Sequence, residues 1–189
     1  MTNSHFETAF DLTMDEEGLG KLSNDPNDPG EMTYSGISRR WWPKLRMWDI
    51  IDICLAEDRK IPLLELLPEI KTVYRSGFWD KICGDRLAAM SPALAYEVFD
   101  TAVNLDPADA TRLLQQAFNV ARGNYQKDLL VDGRLGGETL GALDIYFRSM
   151  PGSRARNEKI LLNCCNGEQY EFYKHNPRRK YFRGWFGRV

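Results

Sequence analysis

Between His5 and Glu17 the apolar residues Phe6, Ala9 and Phe10 recur with Thr13 at helical spacing, and Gly18 and Gly20 follow at once. Intervals of three and four residues fall on one helix face, so this segment predicts an amphipathic helix whose last turn carries Glu17. The stretch LRMWDIIDICLAE, residues 45–57, repeats apolar residues at 47, 48, 51, 54 and 55 and predicts a second helix. Ser91-Pro92 sets a capping hydroxyl before a proline suited to the first helical position. Leu94, Val98, Ala102 and Leu105 then form one stripe, the mark of a core helix. Asp106-Pro107 repeats that start signal, with Ala110, Leu113, Leu114, Ala117 and Ala121 turned inward. Strand signals are scarce: Pro26, Pro29 and Gly30 set turns that allow at most a short hairpin around residues 22–38. The expected class is mainly α with a small β excursion.

Composition narrows this little. With 189 residues, 43% hydrophobic and 28% charged, the chain can bury one sizeable core, or form one domain with an appendage. No segment approaches the roughly 18 apolar residues of a membrane span, and MTNSHFETAFDLTMDEE lacks a basic region followed by an apolar run. Cytoplasmic synthesis without an export signal, and no stable membrane insertion, are therefore expected. Cys54, Cys83, Cys164 and Cys165, with His5 and His175, show no zinc-ligand spacing. They read as reduced thiols, and neither a metal nor a cofactor is expected.

Charge is divided along the chain although the net is only −2. Residues 1–31 hold eight acids against Lys21, whereas residues 148–189 hold ten Lys/Arg against three Glu. The basic end suits an anionic partner or is a solvated face; it also carries Tyr170, Phe172, Tyr173, Tyr181, Phe182, Trp185 and Phe186, too apolar a set for a disordered arm. No nucleic-acid motif accompanies it, and the acidic first segment argues against such a partner.

The densest chemistry lies in residues 14–38, MDEEGLGKLSNDPNDPGEMTYSGIS. Glycoside cleavage needs a protonated carboxyl for the leaving oxygen and a second group that stabilises an oxocarbenium-like state or orients water. A glutamate at a helix-to-loop border, followed by Asp25, Asp28 and Thr33, offers that set; a capped structural loop rich in Asx turns offers an equally good account of the same residues. Calcium is disfavoured, because the one-three-five alternation and closing glutamate of an EF-hand are missing.

Glu17-Gly18, Asn24-Asp25-Pro26-Asn27-Asp28-Pro29-Gly30 and Thr33-Tyr34-Ser35-Gly36-Ile37-Ser38 closely resemble the signature of the glycoside hydrolase family 108 peptidoglycan muramidases, lysozyme-like proteins of phages and bacteria. Phe78-Trp79, Phe99-Asp100 and Ala102-Val103-Asn104 look like further positions of that pattern. Leu19 and Glu31 stand where the pattern has glycines. Leu114-Gln115, Asp132-Gly133, Gly136 and Thr139-Leu140 are similar to the Leu-Gln … Asp-Gly-x-x-Gly-x-x-Thr pattern of small helical peptidoglycan-binding modules. From the residues themselves, Asp132-Gly133 makes a tight turn, and Glu138 or Thr139 begins a helix with Leu140, Leu143 and Phe147 inward.

The resemblance implies a lysozyme-like muramidase domain over residues 1–105 and a helical peptidoglycan-binding-like module over 106–189. It implies cleavage between N-acetylmuramic acid and N-acetylglucosamine, with Glu17 as general acid rather than Glu16. Asp25 or Asp28 would supply the second charge and Thr33 would hold a water. Tyr34, Trp79 and Asn104 are the candidate sugar contacts, by ring stacking and amide hydrogen bonding, with core packing the competing role for Trp79. Peptidoglycan glycan strands are the expected partner, reached after release through a holin-type lesion. A non-catalytic cell-wall or secretion-linked protein on the same fold is the alternative.

Overall fold

The computed structural model describes residues 4–24 and 32–175. The chain divides into two compact units, Met1–Gly77 and Phe78–Val189.

The first unit begins with α1, His5–Glu17, capped by Ser4, whose side chain accepts from the Glu7 amide. The predicted face is buried: Phe6, Ala9, Phe10, Thr13 and Met14 all point into the core. Gly18 ends the helix in the left-handed region (φ 86°), and the Leu19 amide reaches back to the Met14 carbonyl at 3.3 Å. That six-to-one bond is a Schellman closure, which needs glycine at position 18 but not at 19. The leucine in the family's glycine position is therefore at no backbone cost; the second left-handed glycine is Gly20 (φ 78°).

Three two-residue strands follow: β1 (Leu22–Ser23), β2 (Thr33–Tyr34) and β3 (Ile37–Ser38). They pair antiparallel in the order β1-β2-β3, with Leu22 opposite Tyr34, Ser23 opposite Thr33, and Tyr34 opposite Ile37. The expected hairpin is thus one strand wider. Ser35 (φ 50°) and Gly36 (φ 75°) form the two-residue β2–β3 turn, and positive φ at both places is the type I′ geometry that matches strand twist.

Two helices complete this unit. In α2, Met47–Ala56, the residues Met47, Trp48, Ile51 and Cys54 are buried as predicted, whereas Leu55 stays exposed. Its N-terminus has no local cap; Glu69 from α3 (Leu63–Tyr74) accepts from the Arg46 and Met47 amides at 2.9 and 2.8 Å. One carboxylate so satisfies two of the donors that every helix start leaves open. Phe10 meets Tyr74 edge to face at 5.4 Å.

A π-helical turn, Arg75–Trp79, leads on. The second unit holds α4 (Gly84–Met90), α5 (Pro92–Asn104), α6 (Pro107–Ala121), α7 (Gly137–Ser149) and α8 (Arg154–His175). Ser91 and Asp106 cap α5 and α6 as predicted, accepting from the Leu94 and Asp109 amides. Trp79 is wholly buried, edge to face on Phe99 at 5.5 Å, and a Cβ on Gly84 would lie 2.3 Å from its ring. Only glycine lets the helix pass so close to the indole. The stripe of α8 runs Asn157, Leu161, Cys165, Gln169, Tyr173, so the basic end does pack over its described part. Tyr181, Phe182, Trp185 and Phe186 lie outside the described residues.

Candidate functional site

Glu17 is the last residue of α1, and the closure at Gly18 fixes where the chain turns after it. The hairpin holds that turn. The Ser35 hydroxyl accepts from the Gly20 amide at 2.9 Å, and the Ser35 amide donates to the Lys21 carbonyl at 2.9 Å. The Ser35 carbonyl accepts from the buried Tyr74 hydroxyl at 3.0 Å. Three bonds from three different groups hold a fully buried, left-handed serine against its steric cost. The end of α1, the hairpin and the end of α3 are thereby joined at one residue. In the sequence Ser35 stands out only as a member of the run Thr33–Ser38; the signal for its role is Ser-Gly between two short strand-like pairs.

The other end of the hairpin is tied to α2. The Arg39 guanidinium grips Asp52 with two parallel bonds of 2.7 Å, its amide donates to the Met32 carbonyl at 2.8 Å, and it stands 5.6 Å from the Trp48 ring centre. Those bonds hold the Asp52 carboxyl below the usual carboxylate range. Lys71 pairs with Glu7, bracing α3 against α1.

Beside this corner a cleft of about 780 Å³ opens, bordered by Leu19, Gly20, Tyr34, Leu55, Arg59 and Leu63. Its walls are largely apolar with two cations, Arg59 and Lys60, at the rim.

The sequence-derived candidates fall into three groups. Glu17 and Thr33 belong to the elements joined through Ser35, with Thr33 half-buried on β2 opposite Ser23. Asp25 and Asp28 lie outside the described residues, as does Glu31. Tyr34 and Trp79 need correction as sugar contacts. Tyr34 is 1% exposed and Trp79 0%, so neither offers a ring face for stacking. Burial also raises the Tyr34 hydroxyl above its ordinary value. Asn104 is half-buried as the last residue of α5, with its amide donating to Asp100 at 3.0 Å.

In the second unit the motif residues form a knot around Gln115. Its amide nitrogen donates to Asp132 Oδ1 (2.9 Å), Thr139 Oγ1 (3.1 Å) and the Arg134 carbonyl (3.4 Å), and its oxygen accepts from the Gly133 amide (3.0 Å). Gln115 is buried, so the knot satisfies a group that would be costly alone. Gly133 takes φ 75°, and a Cβ there would stand 2.9 Å from the Ala108 carbonyl oxygen. The bonds that Asp132 accepts from the Gln115 side chain and the Arg134 amide hold its carboxyl below its ordinary range.

Among the described residues no group of three or more His, Cys, Asp or Glu is placed to hold a metal, and no helix is long and apolar enough to cross a membrane.

Comparison with known proteins bears on both units. Residues 10–105 match the family model described as Glycosyl hydrolase 108, and residues 109–189 match the one described as Predicted Peptidoglycan domain. A solved structure, "Structure of Brucella abortus SagA", is similar over 97% of this chain and 88% of that one, with 24% identity and a TM-score of 0.62. That likeness shows the fold: mainly helical with one small antiparallel sheet, as expected of a lysozyme-like protein. No curated protein matches. With just over half its length matched by the first model, the chain belongs to the glycosyl hydrolase 108 family and carries a peptidoglycan-type domain behind it.

Proposed function

We propose that the protein is a muramidase, hydrolysing the bond between N-acetylmuramic acid and N-acetylglucosamine with Glu17 as general acid. One observation carries the reading: the Glu17-Gly18 pair closes α1 and is bound, through Gly20, Lys21 and Ser35, to the hairpin bearing Thr33. A general acid must hold a proton for the leaving oxygen, and Glu17 is the carboxylic acid that the motif sets beside this corner. Thr33 would hold a water, and Asp25 or Asp28 would supply the ionised partner. The family and the second domain support a wall glycan as substrate.

The test is product analysis. Purified sacculi are digested with wild type, Glu17→Gln and Glu16→Gln, and reducing-end muropeptides are measured by mass spectrometry. Glu17→Gln should lose about 10²–10⁴ in rate, the usual share of a general acid, while Glu16→Gln retains most activity. A folded Glu17→Gln protein that digests at the wild-type rate refutes the assignment. Binding to sacculi with no products from wild type refutes the enzyme reading and favours a non-catalytic wall-binding role.

A further inference from the structure

The second unit contains a hollow of about 170 Å³ beside the Gln115 knot, lined in part by Asp132, Arg134, Gly136, Gly137 and Glu138. No aromatic ring lines it, so it lacks the stacking surface a sugar ring would use, and its volume is below the range of sites that take whole drug-sized ligands. Its charges are mixed: Asp132, Arg134 and Glu138. No ion pair within 4 Å joins Arg134 to Asp132 or Glu138, and the side chains of Arg134 and Glu138 make no hydrogen bond among the described residues. Asp132 stays ionised, held by Gln115 and the Arg134 amide.

The glycines point the same way. Gly136 has φ −109°, Gly137 is outside the left-handed set, and a Cβ on either would meet nothing within 4 Å. Neither packing nor backbone angle demands glycine at these two positions. What glycine leaves there is open space on the lining of the hollow.

We propose that this hollow recognises a zwitterionic amino-acid head, an ammonium and a carboxylate on one carbon, as presented by a diaminopimelate residue in a peptidoglycan peptide stem. Arg134 takes the carboxylate, while Asp132 and Glu138 take the ammonium. This rests on the reading that the protein works on peptidoglycan, and assigns its second domain to the stem peptide rather than the glycan. Both charges of the head are needed, because each side of the hollow would otherwise face an unmatched group.

The experiment is calorimetric titration of the full-length protein with three synthetic stem tripeptides. One ends in meso-diaminopimelate, one carries lysine there and so lacks the carboxylate, and one is N-acetylated at the distal amine. Wild type should bind the first about tenfold or more tightly than the other two, a difference of about 1.4 kcal/mol or more. Arg134→Gln should abolish the preference over the lysine peptide. Gly137→Leu, which fills the hollow at a position where a side chain also favours helix, should lose about tenfold or more in affinity without lowering Tm. Equal affinity for the three peptides, no binding of the first, or full affinity in folded Gly137→Leu overturns the proposal. The tripeptides contain no glycosidic bond, so these outcomes stand apart from success or failure of sacculus digestion.

Discussion

Ser35 and Gln115 do parallel work in the two units: each is a buried polar residue that binds a turn to helix ends. They do it with different atoms. Ser35 uses its amide, its carbonyl and one side-chain oxygen, so most of its corner survives loss of the side chain. Gln115 makes all four of its knot bonds through the terminal amide. The motifs that identify the two regions therefore mean different things. In the first unit Glu17 and Thr33, the residues proposed for the chemistry, belong to the elements that meet at the corner, and Ser35 joins those elements. In the second the motif residues Gln115, Gly133 and Thr139 are the support itself, and the proposed ligand chemistry falls to the charged side chains beside them.

Deleting the side chain should expose the contrast. Gln115→Ala strands the Gly133 amide without its partner, leaves Thr139 only its bond to the Arg134 carbonyl and opens a void, which together should cost about 2–4 kcal/mol of stability by urea denaturation. Ser35→Ala should cost about 1–2 kcal/mol, for the one amide left unpaired at Gly20. Ser35→Gly loses the same bond but relieves the left-handed strain, so it should fall closer to wild type by about 0.5–1 kcal/mol. If Ser35→Ala and Ser35→Gly are equally stable, backbone strain at this corner is not a term that matters. Sacculus digestion should weaken in Ser35→Ala beyond its loss of folded protein, because the turn after Glu17 loses its tether.

Where helices carry their own start signal the sequence was readable. Ser91-Pro92 and Asp106-Pro107 cap α5 and α6, and the face of α1 is buried as its spacing demands. The helices without a clean signal owe their form to tertiary contacts. In α3, Pro62 and Pro68 read as breakers, and α2 takes its cap from Glu69, 22 and 23 residues away from the amides it serves. The buried stripe of α8 contains two amides, Asn157 and Gln169, which a hydrophobic pattern scores as solvent-facing. Gln169 is buried because it donates to Glu97 (2.5 Å) and Thr101 (2.7 Å), while the Asn157 amide donates to the Met150 carbonyl at 3.2 Å. The motif's Glu17 and Thr33 fall on elements that Ser35 joins, whereas aromatic identity alone does not separate ring faces open to sugar from buried rings. Tyr34 and Trp79 belong to the second kind.

The two units should also answer pH in opposite senses. Burial raises the Glu97 carboxyl above its ordinary value, with the Gln169 bond acting the other way and Asp100 adding to the rise. A raised folded-state value means stability that is full below the unfolded pKa and is lost as pH climbs through the folded one. Glu97→Gln should remove that decline, so the variant should gain on wild type as pH is raised from 4 to 7 in denaturation midpoints of the second unit's transition. A constant difference across that range would mean that Glu97 does not titrate differently in the fold.

Asp52 runs the other way and more weakly. Its hydrogen bonds from Arg39 lower its folded value, with the guanidinium charge adding to them and desolvation opposing. Its contribution is therefore present above the unfolded carboxylate range and is lost as pH falls through the folded value. The pair is half open to water, at 33% and 47% side-chain exposure, so the solvent-screened contribution should be about 1 kcal/mol or less. Arg39→Gln should flatten the acid limb of the first unit's stability between about pH 4 and 2 and leave the Glu97 limb untouched. Raising salt should shrink the wild-type acid limb toward the variant's, since an exposed pair is screened where a buried carboxyl is not. An acid limb that survives both Arg39→Gln and high salt would assign it to another carboxylate.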